Sequence, residues 1–501
     1  MTRRLMMLVA VIAALAVLYV AAAQTQSHSA AAAPAPASQA GATTAVTSVT
    51  RSCPPPGPGT GEGHIAVAAA PGQETTSGAT DTGAAALTAV AQPASPPATK
   101  PATKAGAKPK ASPAATPVTI TDPGALTVAA APQAASDGAT AISATGTMAA
   151  GFEAELANAA GLGLVSCTHP AADMWFVGTG QAAGASTSDL YLTNTGDAAA
   201  TVDVTLITDA GIQQGLSSAI TVGPGSYQLV NLAPYVHGSV VMAVHVETSS
   251  GQVAAAVWQS GSSGGSWLPQ AAEPSTRLVI PGLAGASTAA HLFVVVPGAA
   301  DAHVKVEALT PHGVFLPFGP DLEDAPAAAS SSLALTSLGT AAASLVLTSD
   351  VPITAGIVVP GSGIGEFSAA TGPILQQGVI AGNPAAGPGA VSLVLSAPTG
   401  AASASISVLP SGSGQAAGQS APQVVQVPAG TTVAVPVAAP KGGQPFAITV
   451  TPGPKSGPLY AARLVTQGGS SGPVIAILPV SSAPTEVALP PARDTYTAIF
   501  P

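Results

Sequence analysis

The chain has little charge and few aromatic residues. Of its 501 residues, 7% are charged and 3% are aromatic, whereas soluble proteins usually carry about 25% charged residues. Its 13 Lys and Arg residues are outnumbered by 23 Asp and Glu residues, which gives a net charge of −10. Because no basic stripe is present to neutralise a phosphate backbone, the composition argues against nucleic acid as a partner.

Motifs for nucleotide binding, metal binding and serine catalysis are missing or out of context. No Gly-x-Gly-x-x-Gly and no phosphate-binding Gly-Lys-Ser/Thr occurs. The histidines show no close ligand spacing with cysteines or carboxylates, so we expect no metal and no cofactor. Gly261–Gly265 and Gly468–Gly472 fit Gly-x-Ser-x-Gly, but neither has the strand–turn–helix context of a nucleophile. We predict two turns and no enzyme.

Residues 1–28 are typical of an export signal. Two arginines precede an uncharged run, Leu5–Ala23, which ends in three alanines suited to cleavage. The run is also close to the roughly 20 residues that span a bilayer as a helix. A cleaved signal peptide and an uncleaved anchor helix therefore both remain open. Both place residues 29–501 outside the cytoplasm, secreted or attached to the membrane.

Cys53 and Cys167 are the two cysteines of the chain. Exported proteins meet an oxidising compartment, and an even cysteine count favours pairing. We predict a Cys53–Cys167 disulfide, with two buried free thiols as the alternative.

Two stretches of low complexity interrupt the chain. Residues 29–50 are rich in Ala and Pro without any period, which predicts a disordered stalk. Residues 92–117 are rich in Pro and carry four lysines. Because this second stretch lies between the two cysteines, it is predicted to be an extended loop inserted into a folded unit.

The segments around that loop alternate apolar and polar residues with period two. His64–Ala70, Thr116–Asp122 and Ala125–Pro132 are therefore predicted to be strands. The best helical candidate is the short segment "GFEAELANAAG", Gly151–Gly161.

Self-similarity appears at a spacing of about one hundred residues. The similar segments are "DLYLTNTGDAAATVDVTLITDAG" (Asp189–Gly211), "HLFVVVPGAADAHVKVEALTPHG" (His291–Gly313) and "VSLVLSAPTGAASASISVLPSGSG" (Val391–Gly414). Each has the pattern of a strand, a turn and a second strand. Short strands with turn signals every eight to twelve residues are typical of an immunoglobulin-like sandwich, so we predict an all-β fold of tandem sandwich repeats.

These observations predict six regions. They are a signal peptide or anchor helix (1–28), a stalk (29–50), an N-terminal β region (51–188), sandwich repeats over 189–280 and 281–380, and a third repeat with a C-terminal extension (381–501).

Several segments resemble a known family. Cys167, Pro170, "DMWFVGTG" from Asp173, "LYLTNTGDAAATVDV", "VGPGS" and "SWLP" from Ser266 are similar to the actinobacterial secreted proteins catalogued as domain of unknown function 5719. The likeness covers most of the chain from Cys53 onward. It implies an envelope-facing β protein with an N-terminal membrane signal. It carries over no catalytic residues.

Aromatic residues near Cys167 have two interpretations. Trp175 and Phe176 follow that cysteine closely, and such rings typically pack beside a disulfide in a sandwich core. The other interpretation makes Trp175 a binding platform for sugar, together with Trp258 and Trp267.

The sequence therefore favours a non-catalytic exported protein of the cell envelope, with a scaffold, binding or adhesion role. Its partner would be an envelope protein or a glycan, and its N-terminus would associate with the membrane. Carbohydrate binding through the aromatic residues is the alternative function. A secreted hydrolase is third.

Overall fold

A computed structural model of the chain describes residues 43–58, 63–71, 83–92, 117–131, 138–158, 165–216, 219–262, 264–283, 290–319, 322–335, 338, 341–359, 364–385, 390–412, 421–469 and 472–489. Within these residues the fold is all-β, with 36 strands, three short 3-10 turns and no α-helix. The 3-10 turns are Gly146–Met148, Gln181–Ala183 and Ala233–Tyr235. The prediction of an all-β protein is confirmed.

The segment predicted as a signal or anchor helix, 1–28, lies outside the described residues, and so does most of the loop predicted over 92–117. No helix in the described ranges has the length and apolar character that crossing a membrane requires. The last residues of the predicted stalk form strands, β1 (Thr43–Ala45) and the start of β2 (Ser48–Cys53). Regular structure thus begins before residue 51.

Four pairs of sheets, which we call sandwiches 1 to 4, lie within one compact unit, Ala45–Thr485. Sandwich 1 contains β2 (Ser48–Cys53), β3 (Gly63–Ala68), β4 (Ala85–Val90), β5 (Val118–Ile120), β6 (Leu126–Ala130), β7 (Ala139–Thr145), β8 (Glu153–Asn158) and β9 (Val165–Ser166). Sandwich 2 contains β10 (Asp173–Thr179), β11 (Thr187–Asn194), β12 (Ala200–Thr208), β13 (Gly211–Ile212), β14 (Ile220–Val222), β15 (Ser226–Asn231), β16 (Val241–Ser250), β17 (Ala254–Gly261), β18 (Gly264–Leu268) and β19 (Gln270–Ala271).

Sandwich 3 contains β20 (Ser275–Leu283), β21 (Ala290–Val296), β22 (Ala302–Thr310), β23 (Gly313–Phe315), β24 (Glu323–Ala325), β25 (Ala329–Leu335), β26 (Ala343–Val359) and β27 (Glu366–Ala369). Sandwich 4 contains β28 (Gly378–Asn383), β29 (Val391–Ala397), β30 (Ala402–Pro410), β31 (Gln423–Val427), β32 (Thr431–Pro436), β33 (Phe446–Pro452), β34 (Tyr460–Gly469) and β35 (Gly472–Pro479). Separately, β1 pairs with β36 (Glu486–Ala488).

One strand order recurs in all four sandwiches. In sandwich 2 the sheets run β14-β12-β16-β10 and β15-β11-β17-β18. The matching orders are β5-β4-β7-β2 and β6-β3-β8-β9 in sandwich 1, β24-β22-β26-β20 and β25-β21-β26-β27 in sandwich 3, and β31-β30-β33-β28 and β32-β29-β34-β35 in sandwich 4. In sandwich 3 the long strand β26 serves both sheets. Sandwich 1 therefore has the same strand order as sandwiches 2, 3 and 4, which contain the three segments that are similar in sequence.

Alternation of side chains explains why these segments are strands. In β22, Val304 and Val306 are buried, whereas His303, whose side chain lies on the opposite face of the strand, is exposed. This is the pattern expected when one face of a strand covers a core. Because alanine and valine supply most of the buried hydrophobic positions, neighbouring sheets can approach closely at many points.

The best helical candidate, Gly151–Gly161, is not helical in its described residues, 151–158. The described part of that segment forms β8, which pairs with β3 and β9. Phe152, Ala154 and Leu156 enter the core of sandwich 1, and at period two the intervening Glu153 and Glu155 point to the other face. Tertiary packing of this alternating pattern overrides the helix propensity of alanine and glutamate.

The four sandwiches contact one another in a closed circle. Aromatic residues of sandwich 2 complete the core of sandwich 1. Phe293 and Phe367 of sandwich 3 join the core of sandwich 2, and Val394 and Leu464 of sandwich 4 join the core of sandwich 3. The circle closes where sandwich 4 meets sandwich 1, in a cluster that is mostly alanine: Ala66, Ala68, Leu126, Val379, Ala381, Leu409, Ala447 and Ala483.

Candidate functional site

The predicted disulfide is present and joins the two sheets of sandwich 1. Cys53 ends β2 and Cys167 follows β9; both are buried, and their Cα atoms are 4.3 Å apart. The bond spans a sequence separation of 114 residues. The alternative of two free thiols is wrong. Most of sandwich 1 therefore lies inside one covalent loop.

Trp175 and Phe176 lie on β10 in the core of sandwich 2. Trp175 is opposite His245 of β16, and the two rings stack with centroids 4.0 Å apart and planes 10° from parallel. Neither aromatic residue belongs to the core cluster that contains the disulfide. The ring faces of Trp175 are used for packing, since only 4% of the residue is exposed.

Trp258 and Trp267 form a second, separate aromatic cluster. They are direct cross-strand neighbours on β17 and β18, with ring centroids 5.1 Å apart in an edge-to-face arrangement. Tyr191 lies 5.5 Å from Trp267. This cluster packs into the core of sandwich 1 beside Cys53 and Cys167. The tryptophans that share a core with the disulfide are thus Trp258 and Trp267.

None of the three tryptophans offers an exposed ring. Trp175, Trp258 and Trp267 are 4%, 2% and 5% exposed. A sugar stacks on an exposed aromatic face, whereas these rings are buried in cores: Trp175 within sandwich 2, and Trp258 and Trp267 between sandwiches 1 and 2. The Gly-x-Ser-x-Gly segments mark hairpin ends, because Gly261 pairs with Gly264 and Gly469 pairs with Gly472.

All four sandwiches contribute to one large cleft, with a volume of about 1110 Å³. Its lining includes the segments 49–51, 165–170, 194–198, 268–272, 370–372 and 478–479. Most of these are strand ends and loops, so backbone groups and the side chains of Ser, Thr, Asn and Gln line the cleft beside apolar residues. This volume is slightly larger than the roughly 300–1,000 Å³ that is usual for ligand pockets.

The side chains lining the cleft include four that are charged or titratable: Arg51, Glu153, His169 and Asp197. Arg51 and Glu153 form an ion pair. Arg51 Nη2 lies 3.3 Å from Glu153 Oε2, and the two side chains are 12% and 6% exposed. The pKa of Glu153 is raised to about 7, chiefly because the side chain is buried; the charge of Arg51 opposes this rise, and the charge of Glu155 adds to it. Burial, then the charge of Arg51, lowers the pKa of His169. Near neutral pH, Glu153 therefore exists in both protonation states.

A second ion pair lies behind this group and links sandwiches 1 and 4. Arg463 Nη1 donates to Glu155 Oε2 at 2.8 Å, and both side chains are 1% exposed. Glu155 also accepts hydrogen bonds from the backbone N–H groups of Ala381 (2.8 Å) and Gly382 (3.1 Å). These two residues lie at an irregularity of β28, where the strand register shifts between Ile380 and Asn383. The irregularity turns both N–H groups toward sandwich 1.

Sequence reasoning missed this site. The alternation in "FEAEL" was the available signal, because it places Glu153 and Glu155 on one face of a strand. Nothing local indicated their partners, since Arg51 and Arg463 are 102 and 308 residues away. Within the described ranges no group of three or more His, Cys, Asp or Glu residues is placed to hold a metal ion.

A comparison with known protein families finds one match. The profile of a family of unknown function, DUF5719, matches residues 118–438. This range covers sandwiches 2 and 3 and parts of sandwiches 1 and 4. No curated protein and no solved structure matches the chain significantly.

Proposed function

The chain belongs to the family of unknown function DUF5719, and we propose that it is an exported, non-catalytic protein of the cell envelope that binds a ligand in its central cleft. The observation that carries this proposal is the cleft itself. It draws residues from four sandwiches and holds a paired Arg51 and Glu153 away from bulk solvent. A circle of rigid sandwiches is a suitable scaffold for such a site.

Two features support export. The Cys53–Cys167 bond is of a kind that persists in oxidising compartments, and residues 1–28 have the charge and apolar pattern of an export signal. The recurring two-sheet strand order supports the finer proposal of tandem immunoglobulin-like sandwiches. Whether the N-terminal segment is cleaved can be read from the mass of the mature N-terminus.

Site-specific photocrosslinking in intact cells tests the binding role. A photoreactive amino acid replaces Thr195 or Gln252, which line the cleft. We expect a discrete adduct at both positions, and its mass will report the class of ligand. The matched control is Val424, which is 68% exposed on β31 and does not line the cleft. Adducts of equal yield at Val424, or none at the two cleft positions, would reject the proposal.

Carbohydrate binding on the tryptophans, the alternative, has weaker support because Trp175 lies apart from Trp258 and Trp267 and all three are buried. A hydrolase also has weaker support, since both Gly-x-Ser-x-Gly segments lie at hairpin ends. Turnover of an envelope polymer by the purified protein would favour the hydrolase.

A further inference from the structure

Arg51 has unused hydrogen-bonding capacity. Its guanidinium meets Glu153 through one nitrogen, Nη2, at 3.3 Å, and its Nε is buried with no hydrogen-bond partner. A guanidinium offers five donors in a planar fork that matches the two oxygens of a carboxylate. The contact with Glu153 therefore leaves most donors of the Arg51 guanidinium without an acceptor. A ligand with two acceptor oxygens could accept two parallel hydrogen bonds from it.

The charges around Arg51 select a ligand with a single negative charge. Glu155 on the same strand as Glu153 is already bonded to Arg463 of sandwich 4. His169 tends toward its neutral form, because burial and Arg51 both lower its pKa. Asp197 also lines the cleft, but among the described residues the ion-pair partner of Arg51 is Glu153 alone. When Glu153 takes up a proton, Arg51 is therefore left without a paired counter-charge. A carboxylate balances it, whereas a dianionic phosphate would leave one buried negative charge unpaired.

The backbone around the cleft favours an extended peptide. Both β9 and β19 are edge strands with a single neighbour in their sheets, and Val165, Ser166, Gln270 and Ala271 all line the cleft. Edge strands recognise extended chains through backbone hydrogen bonds. A sugar would use an aromatic face, and the tryptophans are buried.

We infer that the cleft binds a peptide carboxylate at Arg51, with protonated Glu153 donating a second hydrogen bond to it. The inference rests on the proposed binding function and names its ligand chemistry. Glu153 competes for Arg51 when it is ionised and assists the ligand when it is neutral. Binding therefore strengthens as the pH falls through the pKa of Glu153, which is about 7.

The test uses the full chain with its disulfide intact and a trialanine peptide that carries a fluorophore on its N-terminal nitrogen, as the free acid or the amide. By anisotropy, we expect the free acid to bind at least tenfold more tightly than the amide at pH 6. About nine-tenths of Glu153 is protonated at pH 6 and about one-tenth at pH 8, so affinity should fall about tenfold between them. Glu153→Gln should remove this pH dependence and keep the preference for the acid. Arg51→Gln should abolish that preference.

Equal binding of acid and amide, or no binding of either, would overturn the inference. Tighter binding of glucuronic acid than of the peptide would overturn the choice of a peptide. If Arg51→Gln does not fold, the inference is still tested by the comparison of acid and amide on the wild-type protein and by the pH dependence of Glu153→Gln. The two experiments can also disagree. If crosslinked adducts form at the cleft in cells but the purified protein shows no preference for the free acid, the binding function is retained and the peptide carboxylate is rejected as its ligand.

Discussion

Replacing Arg463 by methionine will lower the free energy of unfolding by about 3 to 5 kcal/mol, because Glu155 is then buried without its counter-charge. Water cannot take over from the guanidinium, since both side chains are 1% exposed. Sandwich 4 loses its charged contact with sandwich 1 in this variant. Denaturant unfolding of the full chain, with the disulfide intact and at neutral pH, measures the loss.

Two further variants test whether the loss of unfolding free energy is caused by breaking the buried Glu155–Arg463 pair. The double variant Glu155→Gln/Arg463→Met should recover at least half of it, because an uncharged amide needs no counter-charge and still accepts a backbone hydrogen bond. Lys305→Met is the matched control: the Lys305–Glu307 pair is also 2.8 Å long, but its side chains are 43% and 25% exposed. Its removal should cost less than about 1 kcal/mol. A cost for Arg463→Met no larger than this control would refute the argument.

Replacing Cys53 and Cys167 together by alanine will lower the free energy of unfolding by about 4 to 5 kcal/mol, if the bond acts by restricting the unfolded chain. The closed loop is long, with a sequence separation of 114 residues, so the unfolded chain gains much freedom when the bond is absent. Denaturant unfolding with and without reductant measures the effect.

The wild-type protein in reductant should lose about the same 4 to 5 kcal/mol, and reductant should leave the double alanine variant unchanged. The comparison separates the loss of the bond from the loss of packing, because reduced wild-type protein keeps both sulfur atoms. Identical stability of oxidised and reduced wild-type protein would contradict the prediction.

Structural features that depend on local sequence patterns, or on the compartment in which the protein folds, were predictable from the sequence. Alternation predicted the strands near residues 64–70, 116–122 and 125–132, which the structure places at β3, β5 and β6. An even cysteine count in an exported chain predicted the disulfide. In each case the signal lies within a few residues or in a property of the whole chain.

The sequence did not reveal the recurrence in sandwich 1 or the closure of the circle. Long segments, 72–82 and 93–116, separate the strands of sandwich 1, so its spacing departs from the other three. Alanine at positions such as Ala66 and Ala381 carries no pattern that identifies a partner across hundreds of residues. The Glu155–Arg463 ion pair could not be predicted for the same reason, because a buried ion pair between distant strands produces no local sequence pattern.

Amide hydrogen exchange at Ala381 and Gly382 tests most directly the central claim that sandwich 4 closes onto sandwich 1 around the cleft. Both N–H groups lie where the pairing of β28 is interrupted and donate to Glu155 instead. Slow exchange in the wild-type protein, lost at these two amides in Glu155→Ala, is the result that the structure predicts. Fast exchange in the wild type, or protection that survives in Glu155→Ala, would contradict it.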